Sequence, residues 1–338
     1  MNTSATLSRR VILWLCAFGC IAQGCAGTSS DVRNKPAGVR RVPLLGERMF
    51  PEGIAAHRIS AEIFVGGVAQ GEIQHVTARG ASPFKRAHAD GLHNVIGLAV
   101  DSARDRLWVC STTFDDPFGP AALVVFDIPS GRALASLPLP ADGAPHFLND
   151  VDVDSTGAAY ATDSLSPLIW TVPADLSHIE VLVRDPLWLL DPNGFNLNGL
   201  VVTPCDRFLI ASLPSLSDSG HGKLFRVELA TRRVIEIEQD PPFAGADGLT
   251  VLSERRVIAS GAAPGLFLLD FDAGYGVVQV TPLERFAGEF AQPTTSAIAD
   301  GRLWVVNSQL DHYVVAVFGD KGPPALPFEL VGIPVSEL

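Results

Sequence analysis

The stretch LNGLVVTPCDRFLIAS, residues 197–212, reads as two short apolar strands joined by a polar turn and opened by the pair Asn198-Gly199. The same design recurs along the chain. Further segments of this kind begin at Glu52 (PEGIA), Ile96 (IGLAV), Asn149 (NDVDV), Asp247 (DGLTV) and Thr294 (TTSAI), and with Asn198 (NGLVV) they stand 44, 53, 49, 49 and 47 residues apart. Second strands follow at Leu107–Ser111, Ala159–Ser164, Phe208–Ser212, Arg256–Ser260 and Leu303–Ser308. A repeat near 50 residues made of short strands predicts an all-β fold, a six-bladed β-propeller with four-stranded blades. Equivalent positions in such an array face one central axis, so Glu52, Asn149, Asn198 and Asp247 are expected to meet there.

Outer strands complete the pattern. Third strands are expected at Leu123–Ile128, Leu224–Leu229 and Leu266–Phe271, and fourth strands at Ala133–Leu139, Ile179–Val183, Val234–Glu238 and Val277–Val280, each bounded by Gly, Pro, Asp or Asn. The first repeat is least regular, and its outer strand is sought between Phe84 and Leu92. Phe328–Val335 is expected to complete the sixth blade, while the segment that closes the ring is left open. Two Asp-Pro steps make Pro186–Phe195 a loop, and no long amphipathic helix is expected beyond the leader.

Charge narrows the function. The chain of 338 residues carries 25 Lys+Arg against 37 Asp+Glu, a net charge of −12, which argues against nucleic acid as a partner. Residues 1–25 read as an export signal: Arg9 and Arg10 precede an apolar run, Val11–Ala22, that is too short to span a membrane. Cys25 after Ala22-Gln23-Gly24 resembles the lipidation site of a bacterial lipoprotein, although Ala22 stands where Leu is usual; ordinary cleavage nearby is the alternative. Residues 26–41 are expected as a tether and 42–338 as the propeller. This implies an exported protein, periplasmic or in the cell envelope, with membrane contact only through a lipid on Cys25. Cys110 and Cys205 fall in different repeats and read as unpaired, a disulfide being the other option.

The entrance residues carry the chemistry. Alone, Asn198-Gly199 and Asp247-Gly248 are ordinary turn pairs, Glu52 a loop charge, and Asn149-Asp150 a loop cap. Their common register changes this, because two carboxylates and two carboxamides at one hub form an all-oxygen set suited to a hard cation such as Ca²⁺. Without a cation, Glu52 and Asp247 would repel, and one would hold a proton.

PEGIA (Pro51–Ala55), LNDVDVD (Leu148–Asp154), LNGLVVT (Leu197–Thr203) and ADGLTV (Ala246–Val251) together resemble the entrance motifs of the senescence marker protein (regucalcin), gluconolactonase and luciferin-regenerating enzyme family. The resemblance runs from Arg41 to Val335 and extends more distantly to the paraoxonase and diisopropylfluorophosphatase propellers. It implies that Glu52, Asn198 and Asp247 bind Ca²⁺, or another divalent cation such as Mn²⁺, Mg²⁺ or Zn²⁺, with Asn149 ligating the metal as well or lying beside it. It further implies that Asp247 is the base or nucleophile of a metal-dependent hydrolase acting on a lactone or related ester. Sugar-lactone members often set Arg and other polar side chains over the metal, and the sequence does not single out an equivalent here. His146, three residues before Asn149, and Thr294, at the sixth entrance, are candidate substrate contacts; His146 also reads as a loop histidine bonded to backbone. His93, His221 and His312 are weaker candidates, His312-Tyr313 reading as a turn before a strand. The apolar loops Phe114–Pro120 and Asp185–Phe195 either roof a hydrophobic substrate or pack on each other. Two rivals remain: a non-catalytic propeller that binds a protein or glycan around a structural ion, and hydrolysis of phosphotriesters or another ester class.

Overall fold

The computed structural model describes residues 38–190, 194–215, 221–261, 265–313 and 320–338, so the expected leader and most of the expected tether lie outside the described residues. Six sheets form the blades, each with four antiparallel strands running outward from an inner strand. Blade 1 holds β2 (Pro51–Ala56), β3 (Ile63–Gly67), β4 (Ile73–Thr77) and β5 (Gly80–Lys85). Blade 2 holds β6 (Asn94–Asp101), β7 (Arg106–Thr112), β8 (Ala122–Asp127) and β9 (Ala133–Pro138). Blade 3 holds β10 (Leu148–Val153), β11 (Ala159–Asp163), β12 (Leu168–Val172) and β13 (Glu180–Arg184). Blade 4 holds β14 (Leu200–Val202), β15 (Phe208–Leu213), β16 (Lys223–Glu228) and β17 (Arg233–Glu236). Blade 5 holds β19 (Ala246–Ser253), β20 (Arg256–Gly261), β21 (Leu266–Phe271) and β22 (Val277–Pro282). The inner strands β2, β6, β10, β14, β19 and β23 (Pro293–Ala299) neighbour one another in a closed ring.

The core is a set of wedges. Six clusters of buried apolar residues occupy the six interfaces between adjacent blades, including Phe64, Leu107 and Phe126 between blades 1 and 2, and Ile258, Leu303 and Ile333 between blades 5 and 6. Both faces of a blade are therefore covered, which is why second strands such as Phe208–Leu213 are buried at every position rather than alternating. Free Cys110 lies in one of these wedges, and free Cys205 is exposed in a turn, so the two do not form a disulfide.

Blade 6 is closed by both ends of the described chain. β24 (Arg302–Asn307) pairs with β25 (Glu329–Pro334), and β25 pairs on its other side with β1 (Arg40–Pro43), with Arg40 opposite Gly332 and Val42 opposite Leu330. The expected last strand is thus the third of its blade, the fourth comes from the N-terminal side, and the expected tether boundary at Arg41 falls inside a strand. Two other expectations change. The outer strand of blade 1 lies at Gly80–Lys85 and enters the searched window only at Phe84 and Lys85; the rest of that window holds a 3₁₀ turn at Ala89–Gly91. The expected strand Val234–Glu238 breaks at buried Ile237, whose N–H bonds Leu224 O; the chain then crosses as β18 (Glu238–Asp240) and pairs parallel with β22, covering the edge of blade 5. Leu310–Tyr313 is one helical turn, and the strand expected after Tyr313 lies outside the described residues. Among the described residues, no helix is long and apolar enough to cross a membrane.

Candidate functional site: the hub of the ring

Every inner strand begins with one extra residue. Between Pro51↔Gly67 and Ile54↔Val65 the inner strand advances three residues while its partner advances two, and the same shift occurs at Val95/Leu98, Leu148/Val151 and Pro293/Ser296. Blade 5 shifts between Ala246 and Gly248. In blade 4, Ser212 serves both bulge residues, its O accepting from Asn198 N at 2.9 Å and its N donating to Gly199 O at 2.8 Å. Such bulges re-aim side chains. Here they turn Glu52, Ile96, Asn149, Asn198, Asp247 and Thr294 into one small cavity of about 50 Å³ at the end of the channel. All four expected cation ligands, and Thr294, are thereby brought together.

The second bulge residue ties each blade to the next. A Cβ on Gly53 would lie 1.9 Å from Ile96 O, one on Gly97 2.4 Å from Asn149 O, one on Gly199 2.7 Å from Asp247 O, and one on Gly248 2.8 Å from Thr295 Cα. None of these glycines has a positive φ, so the motif's Gly serves close approach rather than a turn. Where Gly is missing, a side chain makes the tie. Asp150 accepts from Leu200 N at 2.9 Å, and the Thr294 hydroxyl donates to Glu52 O at 3.0 Å, joined by Thr295. Asp150 is a hub carboxylate that sequence reasoning passed over. Its signal was its place in NDVDV, where four of the other repeats carry Gly.

The hub is acidic and, among the described residues, without counter-charge. Glu52 and Asp150 are buried, Asp247 opens only partly, and none of the three forms an ion pair among the described residues. Burial, then Asp247 and Asp150, push the Glu52 carboxyl well above the usual carboxylate range. Burial lifts Asp247 to about 6 against an opposing hydrogen bond from Asn198, and lifts Asp150 to about 8 against bonds from Leu200 N and Val151 N. Glu52 Oε2 and Asn198 Oδ1 are buried without a hydrogen-bond partner among the described residues. Asn149 donates its amide nitrogen to Ser164 Oγ at 2.8 Å, leaving its carbonyl oxygen available. Gly261, with φ of +129°, gives Asp247 its room, since a Cβ there would sit 2.8 Å from that of Asp247. Orphaned buried oxygens beside unneutralised carboxylates fit a hard cation.

Above this floor the wall is aromatic. Phe114, Phe147 and Phe195 line the cavity with Leu310, Pro214 and Pro293. Phe147 packs edge-on against both Phe114 (5.9 Å) and Phe195 (4.7 Å), so the two apolar loops meet across it and also face the cavity. His146 does not line the cavity. Its Nδ1 lies 2.6 Å from Asp163 Oδ2 and its Nε2 3.3 Å from Asp142 Oδ1. Burial works against charge on His146, but these two carboxylates prevail and raise its pKa. Asp163 also accepts from Phe147 N and Trp170 Nε1, so this group braces the approach to blade 3. His93 and His221 are exposed, and His312 Nδ1 lies 3.2 Å from Gly322 O. Gln292, absent from the sequence reading, also lines the cavity.

No family model and no curated protein matches the chain. Solved structures do. The allergen Mala s 1 of Malassezia sympodialis aligns at 16% identity over 86% of this chain and 95% of its own, with a TM-score of 0.66. A gluconolactonase from Xanthomonas campestris aligns at 17% identity over 88% and 90%, with a TM-score of 0.58. The PQQ-bound aldose sugar dehydrogenase of Streptomyces coelicolor aligns at 14% identity over 88% and 98%, with a TM-score of 0.55. At such identities the likeness carries the fold, and function rests on the site. The chain is a six-bladed β-propeller with the architecture found in gluconolactonase-like and sugar dehydrogenase proteins.

Proposed function

We propose that Glu52, Asn149, Asn198 and Asp247 hold a divalent cation, Ca²⁺ or one of Mn²⁺, Mg²⁺ and Zn²⁺, and that the protein hydrolyses a lactone or related ester. The observation that carries this reading is the pair of buried oxygens, Glu52 Oε2 and Asn198 Oδ1, left without a partner beside carboxylates that no cation among the described residues neutralises. When bound, the cation supplies Lewis-acid polarisation of the substrate carbonyl. Two neutral amides in the set keep the site from over-neutralising such an ion.

Asp247 is the residue placed for proton work. It opens on the cavity, and burial lifts it toward neutrality, while contact with a cation would lower it again. As a base it takes a proton from a water that adds to the carbonyl carbon; the ester C–O bond breaks, and the proton passes to the leaving oxygen, giving a carboxylic acid and an alcohol. As a nucleophile it forms the acyl link itself, and water then cleaves it. The phenylalanine wall limits bulk water around either step.

The test is chelation of the purified protein, then restoration of each cation against a panel of lactones and aryl esters. Turnover is expected to vanish with the chelator, return with cation, and fall by about 10³-fold or more in Asp247→Ala. Cation-dependent melting without turnover of any ester would instead indicate a binding propeller with a structural ion. Unchanged cation content in Glu52→Gln and Asp247→Asn would remove the site.

A further inference from the structure

The donors and acceptors of the cavity can be counted side chain by side chain. Asn149 donates its amide nitrogen to Ser164, Asn198 turns its own toward Asp247, and the Thr294 hydroxyl is held by Glu52 O. Among the described lining residues, Gln292 is the one whose side-chain amide nitrogen has no acceptor within the protein. Its Oε1 accepts from Asp311 N at 2.8 Å, and since that partner can only donate, the amide orientation is settled and Nε2 points elsewhere. Among the described residues nothing accepts from Nε2.

The backbone fixes this residue. Gln292 has φ of +53°, a left-handed conformation shared by Phe50 (+45°) and Gly245 (+90°), which stand two residues before Glu52 and Asp247 as Gln292 stands before Thr294. Its carbonyl is clamped by Ser308, from N at 3.2 Å and from Oγ at 2.7 Å.

We propose that Gln292 orients the substrate of this site through Nε2, and that the substrate is an uncharged ester or lactone with an apolar body lying against Phe114, Phe147 and Phe195. The proposal rests on the hydrolase reading above and narrows its substrate class. A polyhydroxylated lactone needs several partners at once, and each hydroxyl left unpaired against the phenylalanines is penalised. Among the described residues, the lining has no Lys or Arg to draw an anionic substrate. The enclosed space has room for only a few water-sized groups, so the reacting carbonyl enters it and the body stays at the aromatic rim.

The cation-loaded full chain is assayed on gluconolactone, an unsubstituted six-membered lactone and the same ring bearing a hexyl chain. The hexyl lactone is expected to exceed the other two in kcat/KM by about tenfold or more. Gln292→Glu keeps the acceptor for Asp311 N but replaces the donor, so kcat/KM falls about 10²-fold with little change in melting temperature. Gln292→Gly removes the donor while relieving the backbone, and is expected to lose activity without losing stability. Phe195→Leu should weaken the hexyl preference and spare the unsubstituted ring. The matching hexyl lactam, which resists hydrolysis, reads binding alone by calorimetry. If it binds about tenfold tighter than the unsubstituted lactam, and less tightly to Gln292→Glu, the proposal holds even where no ester is cleaved, and only the hydrolase reading falls. Gluconolactone turned over as well as the hexyl lactone, unchanged kinetics in Gln292→Glu, or a lactam that ignores both its chain and Gln292 would overturn it.

Discussion

Glu52 meets two kinds of electrostatic penalty at the hub, burial and neighbouring carboxylates. It is buried, one of its oxygens has no partner, and Asp247 and Asp150 both repel its charge. Raised native pKa values mean that the folded protein grips these protons more tightly than the unfolded chain does. The stability from that grip is complete below the ordinary carboxylate values near 4 and is lost as pH climbs through about 6 for Asp247 and about 8 for Asp150. Metal-free protein is therefore expected to melt several degrees lower at pH 8.5 than at pH 5, and added Ca²⁺ to recover most of the loss at the higher pH. Glu52→Gln should flatten the pH slope of the metal-free protein and abolish the recovery. Thermal melts at both pH values, with and without Ca²⁺, check this; a slope that Glu52→Gln leaves intact would show that the strain lies elsewhere.

At the scale of the element, the inner strand with its opening bulge is the working unit. The bulge's first residue faces the cavity, and its second contacts the next blade. Gly97 has no spare room: an added Cβ meets Asn149 O at 2.4 Å, Asp150 Cα at 2.6 Å and Asp150 Oδ1 at 2.9 Å, and two of these are backbone atoms. Gly97→Ala is expected to destabilise the protein by about 1–3 kcal/mol, through a forced separation of blades 2 and 3. The change should appear as a lower urea midpoint at unchanged slope, with weaker cation affinity because Asn149 moves with its backbone. A wild-type midpoint would mean that the ring yields there freely.

Across the whole molecule, closure depends on four residues far from the hub. β1 supplies the outer strand of blade 6, buries Val42 in the wedge between blades 6 and 1, and is followed by Leu44, whose N–H bonds Phe328 O at 2.7 Å. Arg302 adds a hydrogen bond to Gly38 O at 2.6 Å. A chain beginning at Leu44 should lose at least ~2 kcal/mol from Val42 alone, besides the strand pairing. The amides of β25 that face β1 should exchange faster, while those of blades 2–4 stay protected. Equal exchange and an equal melting temperature would show that the ring closes without β1.

Much of this was legible in sequence, because strands, turns and a repeat period are local properties. The second strands announced themselves through unbroken apolar runs, since burial on both faces demands them, and four cation-ligand candidates could be named from their shared place in the repeat. Sequence also shows Asn198-Gly199 and Asp247-Gly248 as one recurring pattern. What Gly does there came only from the tertiary structure, because the neighbour it admits belongs to another blade. The same holds for the parallel crossing of β18, the part played by β1, and the roles of Asp150 and Gln292. Each depends on partners far away in the chain, such as Leu200 for Asp150 and Gly332 for Arg40, and no local pattern encodes a partner that only ring closure brings near.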